Sequence, residues 1–306
     1  MNLKIVIKTT SEITTDEWQI WVEEFNKIFH THYDKNDFIV KYSQNPAGFS
    51  VHAMLYESGI FIGAQSYIIE NFLYKDFPIR IACSCDTFIR KGNRKEFNTL
   101  FNMCEASTEP LNQYGVDAII GNPSPKLFQY HIEVESGYKL IGKLYTYVLP
   151  LSLKAINKHL SFLDSLYCPF IRIVLRIRSM VKEAIYTGRE IFRVSDYYSP
   201  YEYATNQDEI KEIRFSWIWN KESHIKLIND NFRHIGDVYK ASGFLQNKFR
   251  DRIEAIIYIT SQKRSLLPFV FFHDREIFMG KLLSDKISEA DFYNIKNWEF
   301  KRGYFD

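Results

Sequence analysis

The sequence has no uncharged apolar run of the ~18 residues that a membrane-spanning helix needs, so no transmembrane segment is expected. Its first ten residues, MNLKIVIKTT, lack the apolar core of a secretory leader, and a cytoplasmic location is the expectation. Cysteine is scarce: Cys83, Cys85, Cys104 and Cys168 form no disulfide framework, which points to reduced thiols. Glycine (13 of 306) and proline (9) are too few, and too irregularly placed, for a low-complexity or fibrous chain. No repeat of 20–50 residues is visible. A net charge of +2 gives no basic excess, so nucleic acid is not an expected partner. Metal ligands are equally thin. His30, His32 and nearby Asp34 supply no third fixed imidazole or thiolate, and they read as a surface helix end with no metal.

Aromatics are abundant, with 25 Phe and 20 Tyr, enough for large cores. A length of 306 residues suits two units better than one. Residues 1–150 carry a net −3 and residues 151–306 a net +5. Leu3–Lys8 alternates as a strand. Thr14-Thr15-Asp16 then caps a helix over 15–29, with Trp18, Trp21, Val22, Phe25, Ile28 and Phe29 on one stripe. A second helix is expected over 35–43. Antiparallel strands follow at 51–56, 60–69 and 79–90. In the last, Ile79, Ile81, Cys83, Cys85, Thr87 and Ile89 should share one face, with Arg80, Ser84, Asp86, Phe88 and Arg90 on the other. Cys83 and Cys85 read as core thiols.

A helix over 96–114, kinked by Pro110 and ended by Gly115, leads to a short buried strand at 116–121. Asn122-Pro123 turns into a helical segment near 126–134, and 138–149 is again a strand. This strand–helix–strand crossover among antiparallel neighbours predicts an α/β fold with a mixed sheet. In 151–189, Phe170, Ile173, Val174, Ile177, Val181 and Ile185 make an apolar helical stripe beside Arg172, Arg176, Arg178 and Lys182. It reads as a linker helix packed between two halves, with an interfacial membrane helix as the alternative. Beyond it come a helical stretch near 206–231, strands at 252–260 and 266–273, and a short helix near 288–294.

The loop Arg90-Lys91-Gly92-Asn93-Arg94-Lys95 feeds the helix at 96. Free backbone N–H groups and the helix dipole favour an anion at such a point, for example a pyrophosphate. Asp86 is placed to act as a general base and Tyr130 as an acid. Each also reads as structural, Asp86 as an ion-pair partner of Arg80 or Arg90 and Tyr130 as packing. Asn122 reads equally as a ligand contact or as a turn residue.

The stretch from Asp86 through Arg90-Lys91-Gly92-Asn93-Arg94-Lys95, then Gly115-Val116-Asp117-Ala118-Ile119-Ile120-Gly121-Asn122-Pro123, Gly137-Tyr138 and Tyr147-Val148-Leu149-Pro150-Leu151, resembles the acetyl-CoA-binding part of the GNAT (N-acetyltransferase) superfamily, tandem bacterial type. The ending Trp298-Glu299-Phe300-Lys301-Arg302-Gly303-Tyr304-Phe305-Asp306 is similar to that of such tandem proteins. Asn93, Lys95 and Glu96 stand where the family's phosphate loop has glycines, and two alignments stay open, with Arg94 as the motif arginine or Gly92 in its place.

The resemblance implies a GNAT-like domain over 1–150, a helical linker over 151–189 and a diverged GNAT-like unit over 190–306. It implies acetyl-CoA as co-substrate, with pantetheine along Thr87, Phe88 and Ile89 in a V-shaped opening between strands four and five. The phosphates would lie on Arg90, Asn93, Arg94 and Lys95, with Asn122 beside them. Asp86 and Tyr130 would be catalytic. The acceptor would be a small amine, an amino sugar by family analogy, and the chain could form a homodimer. Two alternatives accompany this reading: a catalytically degenerate GNAT-fold binding module, and an aminoacyl-tRNA-dependent cell-wall aminoacyl transferase.

Overall fold

The computed structural model describes residues 3–90, 98–123, 131, 133–185, 190–193, 206–211, 213–230 and 232–299. The first strand, β1 (Leu3–Thr9), leads to helix α1 (Thr15–Phe29), whose start is fixed by a reciprocal capping box between Thr14 and Glu17. Trp18, Trp21, Val22 and Phe25 fall on its buried face. Helix α2 (Lys35–Ser43) is capped in the same way by Asp34 and Asp37. Strands β2 (Ser50–Glu57), β3 (Ile60–Tyr74) and β4 (Phe77–Ile89) then form an antiparallel meander with β1 at its edge. Helix α3 (Thr99–Gln113) crosses the sheet to β5 (Ala118–Gly121), which is parallel to β4.

The second half repeats this plan. Strand β6 (Lys139–Pro150) is followed by helix α4 (Asp164–Arg178) and the short β7 (Ile191–Arg193), which pairs with β3. A second meander, β8 (Asn206–Ile210), β9 (Ile213–Lys221) and β10 (His224–Asp230), leads through helix α5 (Ile235–Phe249) to β11 (Ala255–Thr260), parallel to β10. Strand β12 (Val270–Leu282) and helix α6 (Glu289–Phe292) end the described chain. The order across the sheet is β1-β2-β3-β4-β5-β12-β6-β11-β10-β9-β8. Each half thus gives its last strand to the other: β12 lies against β5, and β6 lies against β11. The two exchanged strands pair with each other, so one sheet runs through the whole chain.

Three expectations need correction. Within 206–231, where a helix is expected, the described residues form strands β8, β9 and β10. Ile213, Phe215, Trp217 and Trp219 alternate with period two, Phe215 and Trp217 enter the core, and Lys211 with positive φ and Glu222-Ser223 make the turns. The last strand continues to Leu282 instead of stopping at His273, and that extension is the part that reaches β5.

The third correction concerns the linker helix, which spans only Asp164–Arg178 and leaves most of the expected stripe unburied. It packs through Ile171 and Leu175, whereas Phe170, Ile173 and Ile177 are each 60% exposed. The segment 124–130, part of the helix expected near 126–134, lies outside the described residues, as do 300–306.

Three layers of core hold the sheet. Trp18, Trp21, Phe25, Phe38, Tyr42, Phe61 and Phe88 fill the space under α1 and α2. Burying each such ring is worth about 1.5–3 kcal/mol. On the opposite face, Leu100, Cys104 and Leu111 of α3 cover Tyr67, Ile69, Ala82 and Ile119. Trp298, near the end of the described chain, packs on Phe72 of β3 and Phe278 of β12, so the last residues tie the two halves together.

Candidate active site

The parallel strands β4 and β5 pair over three residues only, Ile81↔Ala118, Ala82↔Ile119 and Cys83↔Ile120. Strand β5 ends at Gly121, while β4 runs on to Ile89 with β3 as its one partner strand among the described residues. Among the described residues, no strand pairs with the other edge of residues 84–89. Backbone N–H and C=O groups along an open edge are suited to an extended ligand that adds as a strand.

The strand is deformed along this stretch. Asp86 has φ +48°, and the register with β3 slips between Ala64↔Phe88 and Ser66↔Cys85. This is a bulge, and it resets the alternation. Phe88 joins Cys85 in the aromatic core, whereas Ile89 packs on the other face. The expected grouping of Thr87 and Ile89 with the cysteines fails from that residue onward. Gly63 permits the bulge, because a Cβ there would sit 2.5 Å from the Phe88 carbonyl oxygen.

The Asp86 side chain is turned under α2. Its Oδ2 accepts from Lys41 Nζ at 2.5 Å and from Tyr42 Oη. Lys41 is almost fully buried, with Asp86 close behind, so the partner is neither Arg80 nor Arg90. A non-glycine residue held at positive φ costs on the order of 1–3 kcal/mol. Removing one partner of a buried pair costs about 3–5 kcal/mol. The pair is therefore costly to break, and it ties the bulge to α2. Burial, with the Asp86 carboxylate second, holds the Tyr42 hydroxyl well above the usual tyrosine range. Beside it His52 is fully buried between Thr10 Oγ1 and Ser66 Oγ, and burial pulls its imidazole down to about 3.

The other site residues divide clearly. Arg90 grips Glu24 of α1 with two contacts, 2.9 and 2.8 Å. Thr87 and Ile89 line the open part of β4, half-buried. Asn93, Arg94, Lys95 and Tyr130 lie outside the described residues. The helix that the basic loop enters has no side-chain cap at Asn98.

Asn122, just past the end of β5, donates Nδ2 to Glu276 Oε2 at 3.3 Å. Glu276 also accepts from Thr146 Oγ1 at 3.5 Å. It stands on β12 with His273 at the edge of a cleft of about 640 Å³, walled by Val148, Ile257 and Phe272. Sequence reasoning missed both residues. Nothing local marks them, and β12 reaches β5 only through the exchange of strands. Among the described residues no group of His, Cys, Asp and Glu could hold a metal. None of the four cysteines is in a disulfide, and Cys83 and Cys85 are buried as expected.

No protein-family model and no curated protein matches the sequence. The fold is nevertheless clear. The chain is similar to a GCN5-related N-acetyltransferase from Anabaena variabilis at 10% identity and TM-score 0.57, over 91% of this chain and 73% of that one. It is also similar to a tandem GNAT protein from the clavulanic acid biosynthesis pathway, at 9% identity and TM-score 0.50, over 94% and 100%. A third likeness is to Saccharomyces cerevisiae N-myristoyltransferase with bound myristoyl-CoA, at 10% and 0.53, over 92% and 79%. The mixed α/β architecture is the fold these acyltransferase structures share, and it is the fold that the sequence resemblance implied.

Proposed function

We propose that the chain is an acyl-CoA-dependent N-acyltransferase that moves an acetyl group onto a small amine. The observation that carries this reading is the edge of β4 that would form the slot: β4 continues six residues beyond its last pair with β5, and the bulge at Asp86 sits inside that stretch. The pantetheine arm would add along Thr87, Phe88 and Ile89. The phosphates would lie toward Arg94, Lys95 and the uncapped start of α3, where N–H groups favour anions. A backbone N–H turned out by the bulge would polarise the thioester carbonyl.

The amine would enter through the cleft lined by Thr146, His273 and Glu276, which is large enough for an amino sugar. Glu276 takes the amine proton as nitrogen attacks the thioester carbon. The new C–N bond forms, the C–S bond breaks, and CoA leaves as thiolate, which takes up a proton. In this scheme Asp86 positions the bulge, since its carboxylate is already engaged by Lys41 and Tyr42.

Calorimetric titration with acetyl-CoA tests the reading. Heat with micromolar affinity, weakened at least tenfold in Arg94→Glu, is expected. No heat at millimolar ligand overturns it and leaves a binding module that has lost the cofactor. With binding intact, Glu276→Gln should lower kcat by roughly 10²–10⁴ while leaving the acetyl-CoA affinity in place.

A further inference from the structure

Helix α4 presents an apolar stripe to solvent. Leu166, Phe170, Ile173, Ile177 and Met180 recur at alternating spacings of four and three, and each is at least 60% exposed. The helix is held to the body by its opposite side, through Ile171 and Leu175. The stripe continues backward onto Phe162, which is 72% exposed. Five large apolar side chains in one uninterrupted row are more than the scattered exposure of an ordinary surface.

The charges beside this row have one sign. Arg172 and Arg176 are exposed along its flank. They also form one wall of a cleft of about 1020 Å³ between α4 and α5, whose other walls carry Lys211, Arg233 and Lys240. The carboxylate in that lining, Asp237, is already spent on the backbone N–H groups of Arg233 and His234 and on Lys240. The single acid of α4, Asp164, faces inward and accepts from Ser152 Oγ and the Leu153 N–H.

We infer that α4 is a docking face for a membrane surface rich in anionic phospholipid. The apolar row would lie at the boundary of the acyl chains, and Arg172, Arg176 and the cationic cleft would take the phosphate headgroups. A second copy of the chain is the poorer fit. Two such rows meeting face to face would bring Arg172 and Arg176 beside their own counterparts, with no acid on either exposed face to answer them. The inference does not depend on the acyltransfer reading, because the helix lies outside the slot and no cofactor is needed for it.

Co-sedimentation of the intact protein with two kinds of vesicle is the test: phosphatidylcholine alone, and phosphatidylcholine with about a third phosphatidylglycerol. Binding to the anionic vesicles only, lost when salt is raised from about 0.1 M to about 1 M, is expected. Arg172→Gln with Arg176→Gln should lower the partition coefficient roughly 30-fold, at about 1 kcal/mol per charge. Phe170→Ser with Ile173→Ser should abolish binding. These positions are exposed, so circular dichroism should show the fold unchanged. Failure of the wild type to bind anionic vesicles at low salt overturns the inference, as does equal binding to both compositions. A concentration-dependent dimer dissolved by Ile173→Asp also overturns it and assigns the row to a second copy.

Discussion

Two parallel seams run through the sheet, β4–β5 and β10–β11, and each is closed by three residue pairs. Both sit in a strand–helix–strand crossover, and both gain an antiparallel strand from the opposite half. Both first strands run on past the last pair and slip register, β4 for six residues with the bulge at Asp86 and β10 for four with a shift between Leu227 and Asn229, so the difference lies at the helix starts: α3 has no side-chain cap at Asn98 among the described residues. In the second, the start of α5 is spent. Ile235 N–H and Gly236 N–H donate to Glu183 and Val181 carbonyls, and Asp237 Oδ2 accepts from Arg233 N–H and His234 N–H. Among the described residues, one helix start carries no side-chain cap and the other is stoppered by the linker, and it is this contrast on which the proposed cofactor site beside β4 rests.

The largest effect that could break the contrast concerns the bulge. Asp86→Ala leaves the Lys41 ammonium buried without its carboxylate, and urea unfolding should show a loss of about 3–5 kcal/mol. A loss under 1 kcal/mol would show that the pair does not hold the bulge. Next comes the stopper. A Cβ at Gly236 would lie 2.4 Å from the Val181 oxygen and 2.6 Å from the Ser179 oxygen. Gly236→Ala should cost about 1–3 kcal/mol by pushing the linker off α5, while acetyl-CoA affinity stays within twofold. A large drop in affinity would move the cofactor to the second seam.

The acid response sharpens the difference between the halves. In the unfolded chain the His52 imidazole takes a proton near its ordinary 6.5, whereas in the folded core it resists until about 3. The stability it confers is complete above pH 6.5 and drains as pH falls through that window, by up to roughly 1.4 kcal/mol per unit. Urea midpoints from pH 7 to pH 5 should fall in the wild type and flatten in His52→Asn; identical slopes would rule the residue out. The smallest effect is that of Asp237→Ala, which removes a helix cap and should cost about 1 kcal/mol with no change in acyl transfer.

The first half was legible in the sequence because its signals are local. The Thr14 and Asp34 caps, the 3.6-residue stripe of α1, and the apolar run before Asn122-Pro123 each announce an element from within a dozen residues. The bulge was not legible. Asp86 adopts a positive φ, uncommon for any non-glycine residue though less so for aspartate, and the partner that holds it there, Lys41, lies 45 residues upstream. The meander of β8 to β10 was readable in principle, since Ile213, Phe215, Trp217 and Trp219 alternate with the period of a strand. The contact of Glu276 with Asn122 could not be foreseen without knowing that β12 crosses into the first half. Such a pairing depends on the whole sheet and leaves no mark on its own strand.

Hydrogen exchange read residue by residue, with and without acetyl-CoA, compares the two seams in one sample. Acetyl-CoA should slow the amides of residues 84–89 and leave those of residues 227–230 at their free rates. Protection at 227–230, or no protection at either seam with the ligand demonstrably bound, would contradict the assignment of the cofactor to the slot beside Asp86.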